Sequence, residues 1–203
     1  MTSREPKQDR SRATRARLLG ATVDCLAELG WGATTVAVVA ERAGVSRGAA
    51  QHHFPAREDL ITAALDVMFE NRTSTAAAEM SSLPVGEGRT EAVVIQLVEY
   101  YVSPLFKAAL QVWTAAAADP ALRERMVPLE AKFGRGVHRL AIDALDVDDT
   151  DPRTHHLVQA TLDLARGLAL ADVLSDDSAR RREIVATWAA TLDTALRRPV
   201  LAE

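Results

Sequence analysis

The sequence predicts an all-α protein of about nine helices, and three features of its 203 residues carry that expectation. Alanine, leucine, arginine and glutamate dominate and aromatics make up only 4%, a balance that favours helix over strand. Apolar residues recur three and four positions apart along most of the chain. Glycines, prolines and two Asp-Pro pairs fall where one apolar stripe ends and the next begins.

The elements follow in order. Residues 1–11 are polar and charged and are expected to form a disordered basic arm. From Arg12 a helix begins, with Leu19, Val23, Leu26 and Leu29 on one face. Gly30 ends it as a C′ residue, and Trp31 is expected to fold its ring back over the helix end. Thr34-Thr35 caps a second helix, whose stripe is Val36, Val39, Ala40 and Ala43. Gly44 stops that helix, Ser46 caps a third, and Pro55 closes the third just after Phe54. A long fourth helix starts near Arg57 and carries Leu60, Ile61, Ala64, Leu65, Met68 and Phe69 on its apolar side. After a loop marked by Pro84, Gly86 and Gly88, helices are expected over 89–103 and 104–118. Asp119-Pro120 starts another, running to about Leu145 past Pro128. Asp151-Pro152 repeats that signal for a helix to Leu174, and a last helix spans about 179–197.

Charge is distributed unevenly. The net charge is −4, yet residues 1–57 hold nine lysines and arginines against five acidic residues, a net +4 that leaves −8 on the remainder. A basic head on an acidic body suits a polyanionic partner at one end only. The single cysteine, Cys25, allows no internal disulfide and fits a reducing compartment. Neither a secretory leader nor an apolar run of membrane-spanning length is visible, so the expected location is the cytoplasm, with no membrane partner.

The segment from Thr34 to Phe54, TTVAVVAERAGVSRGAAQHHF, reads as a helix, a glycine turn and a second short helix. In that arrangement the second helix enters the major groove of DNA. Ala40 and Ala43 are small enough for the two helices to cross closely, and Gly44 supplies the positive φ of the turn. Arg47 and Gln51 can both reach base edges, while Gly48 and Ala49 allow close approach.

Residues 12–65 resemble the TetR (tetracycline-repressor) family of bacterial transcriptional regulators. The matching pieces are a basic first helix, then LGWGATT, VAERAGVSRGA and HHFPAREDL. The resemblance implies an N-terminal DNA-binding domain over 1–56 and a ligand-binding and dimerisation domain over 57–203. It also implies that Thr34, Thr35, Ser46, His53 and Arg57 hold phosphates while Arg47, Gly48, Ala49 and Gln51 face bases. His52 can do either. Arg12, Arg15 and Arg17 are expected to reach the backbone or an adjacent minor groove. Two positions depart from the family pattern. Ala50-Gln51 stands where many members have Leu-Tyr, so the operator sequence does not transfer. Ala56 stands where the fourth helix usually has a serine cap, a loss of about 1 kcal/mol.

Two stripes in the body suit a homodimer. Leu157, Thr161, Leu164 and Leu168 line one helix, and Ile184, Trp188 and Leu192 line the next. Two such helices per copy would form a four-helix bundle, and a two-fold dimer reads a palindromic operator in double-stranded DNA. For a small, apolar effector the lining is expected from Phe69, Met80, Tyr100, Tyr101, Phe106, Trp113, Phe133 and His138. The reading is thus a sequence-specific repressor released by a small molecule. The residues do not set the sign of regulation, so an activator or an effector-independent DNA-binding protein of the same fold stands beside it.

Enzymatic chemistry finds no support. The pairs His52-His53 and His155-His156 point to different helix faces and make poor metal clamps. The acidic run Asp146, Asp148, Asp149 and Asp151 lacks the glycine and the terminal glutamate of a calcium loop. No phosphate loop, nucleophile elbow, zinc signature or cofactor motif is present, so no catalytic or metal residue is assigned.

Overall fold

The punctuation read from the sequence sets the element boundaries. A computed structural model describes residues 5–197, with side chains from residue 8. Among the described residues there are nine helices and no strand: α1 (Glu5–Ala33), α2 (Val36–Arg42), α3 (Arg47–His53), α4 (Arg57–Ser81), α5 (Arg89–Tyr101), α6 (Pro104–Ala118), α7 (Pro120–Leu145), α8 (Pro152–Asp172) and α9 (Ser178–Arg197). The all-α expectation therefore holds.

One expectation is corrected at the N-terminus. The disorder expected over 1–11 lies outside the described residues for 1–4, but from Glu5 onward the chain is already helical. Asp9 accepts from Arg12 at 2.9 Å, an i,i+3 pair that supports this first stretch. Gly30 breaks α1 at φ 78°, as a C′ glycine does, and one further turn follows it.

The chain divides into two compact units. The first contains the residues through Asn71 together with Pro104–Phe133. Here α1 packs along α6 and against α2 and α3. Leu18, Leu19, Cys25, Leu26, Val39, Leu60, Ile61 and Leu65 are buried in this unit, each large side chain contributing roughly 1.5–3 kcal/mol. Leu29, expected on the same apolar stripe, is exposed. Burial pushes the Cys25 thiol up, so it stays protonated in the core.

The second unit contains Arg72–Ser103 and the residues from Gly134 onward. In it α5 packs against α8 and α9, and α8 against α9. Met80, Val93, Leu97, Tyr100, Val158, Ala165 and Leu192 form its core. The Tyr100 hydroxyl pairs with Thr73 Oγ1 at 2.9 Å, and burial pushes its pKa up to about 12. The expected functional cut at 56/57 thus follows a different line from the packing, because α4 and α7 each contribute residues to both units.

Candidate nucleic-acid interface

The head is built around a turn closed entirely by backbone. Val45 N–H donates to the Ala40 carbonyl at 3.0 Å, and Gly44 N–H donates to the Glu41 carbonyl at 3.0 Å. This pair of bonds is a Schellman motif, which needs a left-handed residue at C′; Gly44 provides it at φ 63°. Thr35 caps α2 by accepting from Val38 N at 3.3 Å, and Ser46 caps α3 by accepting from Ala49 N at 3.2 Å. Val39, Ala40 and Ala50 are buried, so α2 and α3 cross on small and β-branched side chains. Arg42 pairs with Glu28 at 2.6 Å and ties α2 to α1.

That construction leaves one face of α3 uncommitted to the core. Ser46, Arg47, Gly48, Gln51 and His52 are exposed, and Ala49 is half-buried beside them. Arg47 and Gln51 lie four apart, so they project from the same side of α3. His53 is half-buried; its ring meets that of His52 edge-on at 5.9 Å and lies tilted to that of Phe54 at 6.4 Å.

Two residues expected at phosphates have other work. The Thr34 side chain is buried, and its hydroxyl donates to the Gly30 carbonyl at 2.7 Å. Thr35 stands in extended backbone at φ −100° and ψ 161°, and of the two threonines it is the one that faces solvent. Arg57 Nε donates to the Thr34 carbonyl at 2.6 Å, and its Nη2 donates to the Trp31 carbonyl. The guanidinium lies 4.0 Å over the Trp31 ring. Arg57 is thus a clamp that holds the start of α4 to the α1–α2 corner. The arm arginines likewise sit on a helix. Arg15 lies 5.4 Å over the Phe54 ring, and a Cβ at Gly44 would stand 4.0 Å from Arg17.

The aromatic residues expected around an effector separate into two groups. In the first unit, Phe69 and Phe133 stack with centroids 4.2 Å apart, and Phe106 meets Trp113 edge-on at 5.9 Å. Trp113 also borders a cavity of 190 Å³ with Met126 and Val127. In the second unit, Met80 is buried, and Tyr101 packs edge-on against Tyr100 and accepts from Arg166 at 3.4 Å. His138 lines a cavity of 620 Å³ with Ile142, Gln159 and Leu162, and Asp149 accepts a hydrogen bond from it at 2.8 Å. His138, expected to line an effector pocket, is half-buried and already partnered. Hydrogen bonds from His138 and His155 hold the Asp149 carboxyl below its ordinary range.

The residues expected at a dimer interface also divide. Thr161, Leu168 and Leu192 are buried within the chain itself, whereas Leu157, Leu164, Ile184 and Trp188 are half-buried. Trp188 Nε1 donates to Thr161 Oγ1 at 3.0 Å, joining α9 to α8. Leu170 and Leu174, which sequence reasoning did not single out, are exposed along the same run, at 59% and 94%.

Comparison with known proteins agrees with this architecture. Residues 18–64 match the family described as bacterial regulatory proteins, tetR family. Over 121 residues the chain is 31% identical to CymR, an HTH-type transcriptional regulator of Pseudomonas putida, covering 60% of each protein. The match therefore spans about three fifths of that relative's length. Among solved structures, the multidrug binding protein EbrR, complexed with imidazole, is similar at a TM-score of 0.63 and 23% identity, covering 93% of this chain and 98% of EbrR. A TetR-family member from Streptomyces coelicolor A3 is similar at a TM-score of 0.66 and 24% identity, covering 92% and 99%. These proteins are regulators or binding proteins rather than enzymes.

Proposed function

We propose that this chain is a DNA-binding transcription regulator of the TetR family and, from that premise, a homodimeric repressor that a small molecule releases from a palindromic operator. The observation that carries the reading is the exposed face of α3. Its caps and turn are satisfied internally, so Arg47 and Gln51 remain available for base edges. Ser46, Thr35 and His52 flank them within reach of phosphates.

Dimerisation supplies two copies of α3 related by a two-fold axis, each reading one half-site. Support for it lies along α8 and α9. Leu157, Leu164, Ile184, Trp188, Leu170 and Leu174 leave an apolar run that the chain itself does not finish covering. The same two helices from a second copy would cover it as a four-helix bundle. Release follows from α4. Arg57 fixes the start of α4 to the head, so a ligand that shifts α4 in the body also shifts α3.

Operator fragments selected from genomic DNA test the head directly. Arg47→Ala and Gln51→Ala are each expected to weaken specific binding; if neither does, the α3 assignment is wrong. Deleting the gene is expected to raise transcription from the adjoining promoter. A fall in transcription would make the protein an activator.

A further inference from the structure

Outside the reading head, three side chains able to ligate a metal meet at one point of the second unit. His138 stands on α7, Asp149 in the turn between α7 and α8, and His155 in the first turn of α8. His138 Nε2 lies 2.8 Å from Asp149 Oδ1, and His155 Nδ1 lies 2.9 Å from that same oxygen. The three ligand atoms all lie within 4.8 Å of one another, with the two imidazole rings 4.6 Å apart.

We propose that His138, Asp149 and His155 form a binding site for a divalent transition-metal ion of the zinc class. Two imidazole nitrogens and one carboxylate oxygen are the donors such ions prefer, whereas calcium and magnesium call for a larger set of oxygens. Ligands held at about 2.0–2.2 Å around a tetrahedral ion stand roughly 3.3–3.5 Å apart. The present contacts are shorter than that, so the ion enters if the Asp149 carboxylate withdraws by about half an ångström from each imidazole.

The parts are suited to that movement. Both histidines are carried by helices, and the carboxylate is carried by the turn. Two other acids of the turn, Asp148 and Asp151, are engaged elsewhere. Asp148 accepts from Thr150 Oγ1 at 2.7 Å, and Asp151 caps α8 by accepting from Thr154 N at 3.1 Å. Side-chain exposure grades from 15% at His138 to 42% at Asp149, so the ion has an entry route from solvent. Three protein ligands leave a further position, which faces the cavity of 620 Å³ and takes water. Arg135 and Arg139 line that cavity as exposed side chains whose charge is screened by solvent, and Arg166 pairs with Asp163 at 3.1 Å.

The test uses the purified full chain with Zn²⁺ and Co²⁺ as probes and no DNA, so its outcome is independent of the repressor reading. Equilibrium dialysis is expected to show a single bound ion per chain, and the Co²⁺ form to show the visible absorption of a four-coordinate site. His138→Gln and His155→Gln are each expected to abolish that absorption. They should weaken binding by more than the roughly 10–100-fold that loss of an outer partner costs. Asp149→Asn, which keeps the shape of the side chain, is expected to weaken binding without disturbing the helical circular dichroism. His52→Gln/His53→Gln is expected to bind as the natural protein does. The proposal is overturned if the natural chain retains no ion, or if His138→Gln/His155→Gln retains as much as the natural chain.

Discussion

The α2–α3 turn and the α7–α8 turn both stop a helix on a left-handed residue, Gly44 at φ 63° and Asp146 at φ 54°, yet they use their side chains differently. In the head, backbone bonds from Gly44 and Val45 close the turn, and one hydroxyl caps each helix. Arg47, Gln51 and His52 are left at the surface. Between α7 and α8, Val147 N–H likewise reaches back to the Ile142 carbonyl at 3.4 Å, but side chains add a second set of bonds: Asp148 with Thr150, Asp151 with Thr154, and Asp149 with His138 and His155. A turn closed by backbone frees its side chains for an outside partner. A turn whose side chains bond one another as well holds them inward, where they can gather around something small. The same contrast runs along α8 and α9, where Thr161, Leu168 and Leu192 serve the chain's own core although their stripe suggests a partner.

Substitutions can break this contrast, starting where the largest effect is expected. Leu192 is fully buried, so Leu192→Ala should lower stability by about 2–5 kcal/mol in urea denaturation, independent of protein concentration. Ile184→Ala, on the half-buried side, should instead lose stability in a way that depends on concentration. Equal behaviour of the two would erase the distinction between core and interface. Next comes Arg57→Ala, which strands two carbonyls and uncovers Trp31. A loss of about 2–3 kcal/mol is expected, with the salt dependence of operator binding unchanged. If that salt slope falls by about 1 instead, Arg57 is a phosphate ligand after all.

Arg47→Ala should do the reverse, costing about 1–3 kcal/mol in operator binding while leaving thermal stability nearly unchanged. Tyr100→Phe is expected to have the smallest effect near neutrality, about 1 kcal/mol for the lost bond to Thr73. Its pH dependence is more telling. Tyr100 titrates at about 12 in the fold and at 10 as a free side chain. The folded chain therefore holds the phenol proton more tightly than the unfolded one. That contribution is complete below pH 10 and drains away as pH rises toward about 12. The phenylalanine variant should lack this alkaline fall in unfolding free energy, and identical curves would contradict the burial of the hydroxyl.

Much of the head was legible because its signals are local. Thr35, Gly44, Ser46 and Pro55 each act on backbone within a few residues, so the helix limits and the exposed face of α3 could be read directly. The clamp made by Arg57 leaves no mark in the sequence, because its partners are carbonyls 23 and 26 positions earlier and no side-chain pattern records them. The burial of Thr34 has a simpler reason: of the two adjacent threonines Thr35 caps α2, while Thr34 turns inward to the Gly30 carbonyl. The body's stripes revealed amphipathic helices but not which apolar residues would meet their own core first. His155 was judged only beside His156; its true neighbours, His138 and Asp149, come from another helix and a turn.

The Arg57 clamp has a practical consequence for chimeras. A hybrid regulator joined at residues 56/57 would take its head from one protein and its guanidinium from another. The grafted head would then dock on a foreign α4 with its Trp31 ring and two carbonyls unmatched. Moving the junction past Leu65 keeps the clamp and the buried Leu60, Ile61 and Ala64 with the head they were selected to fit.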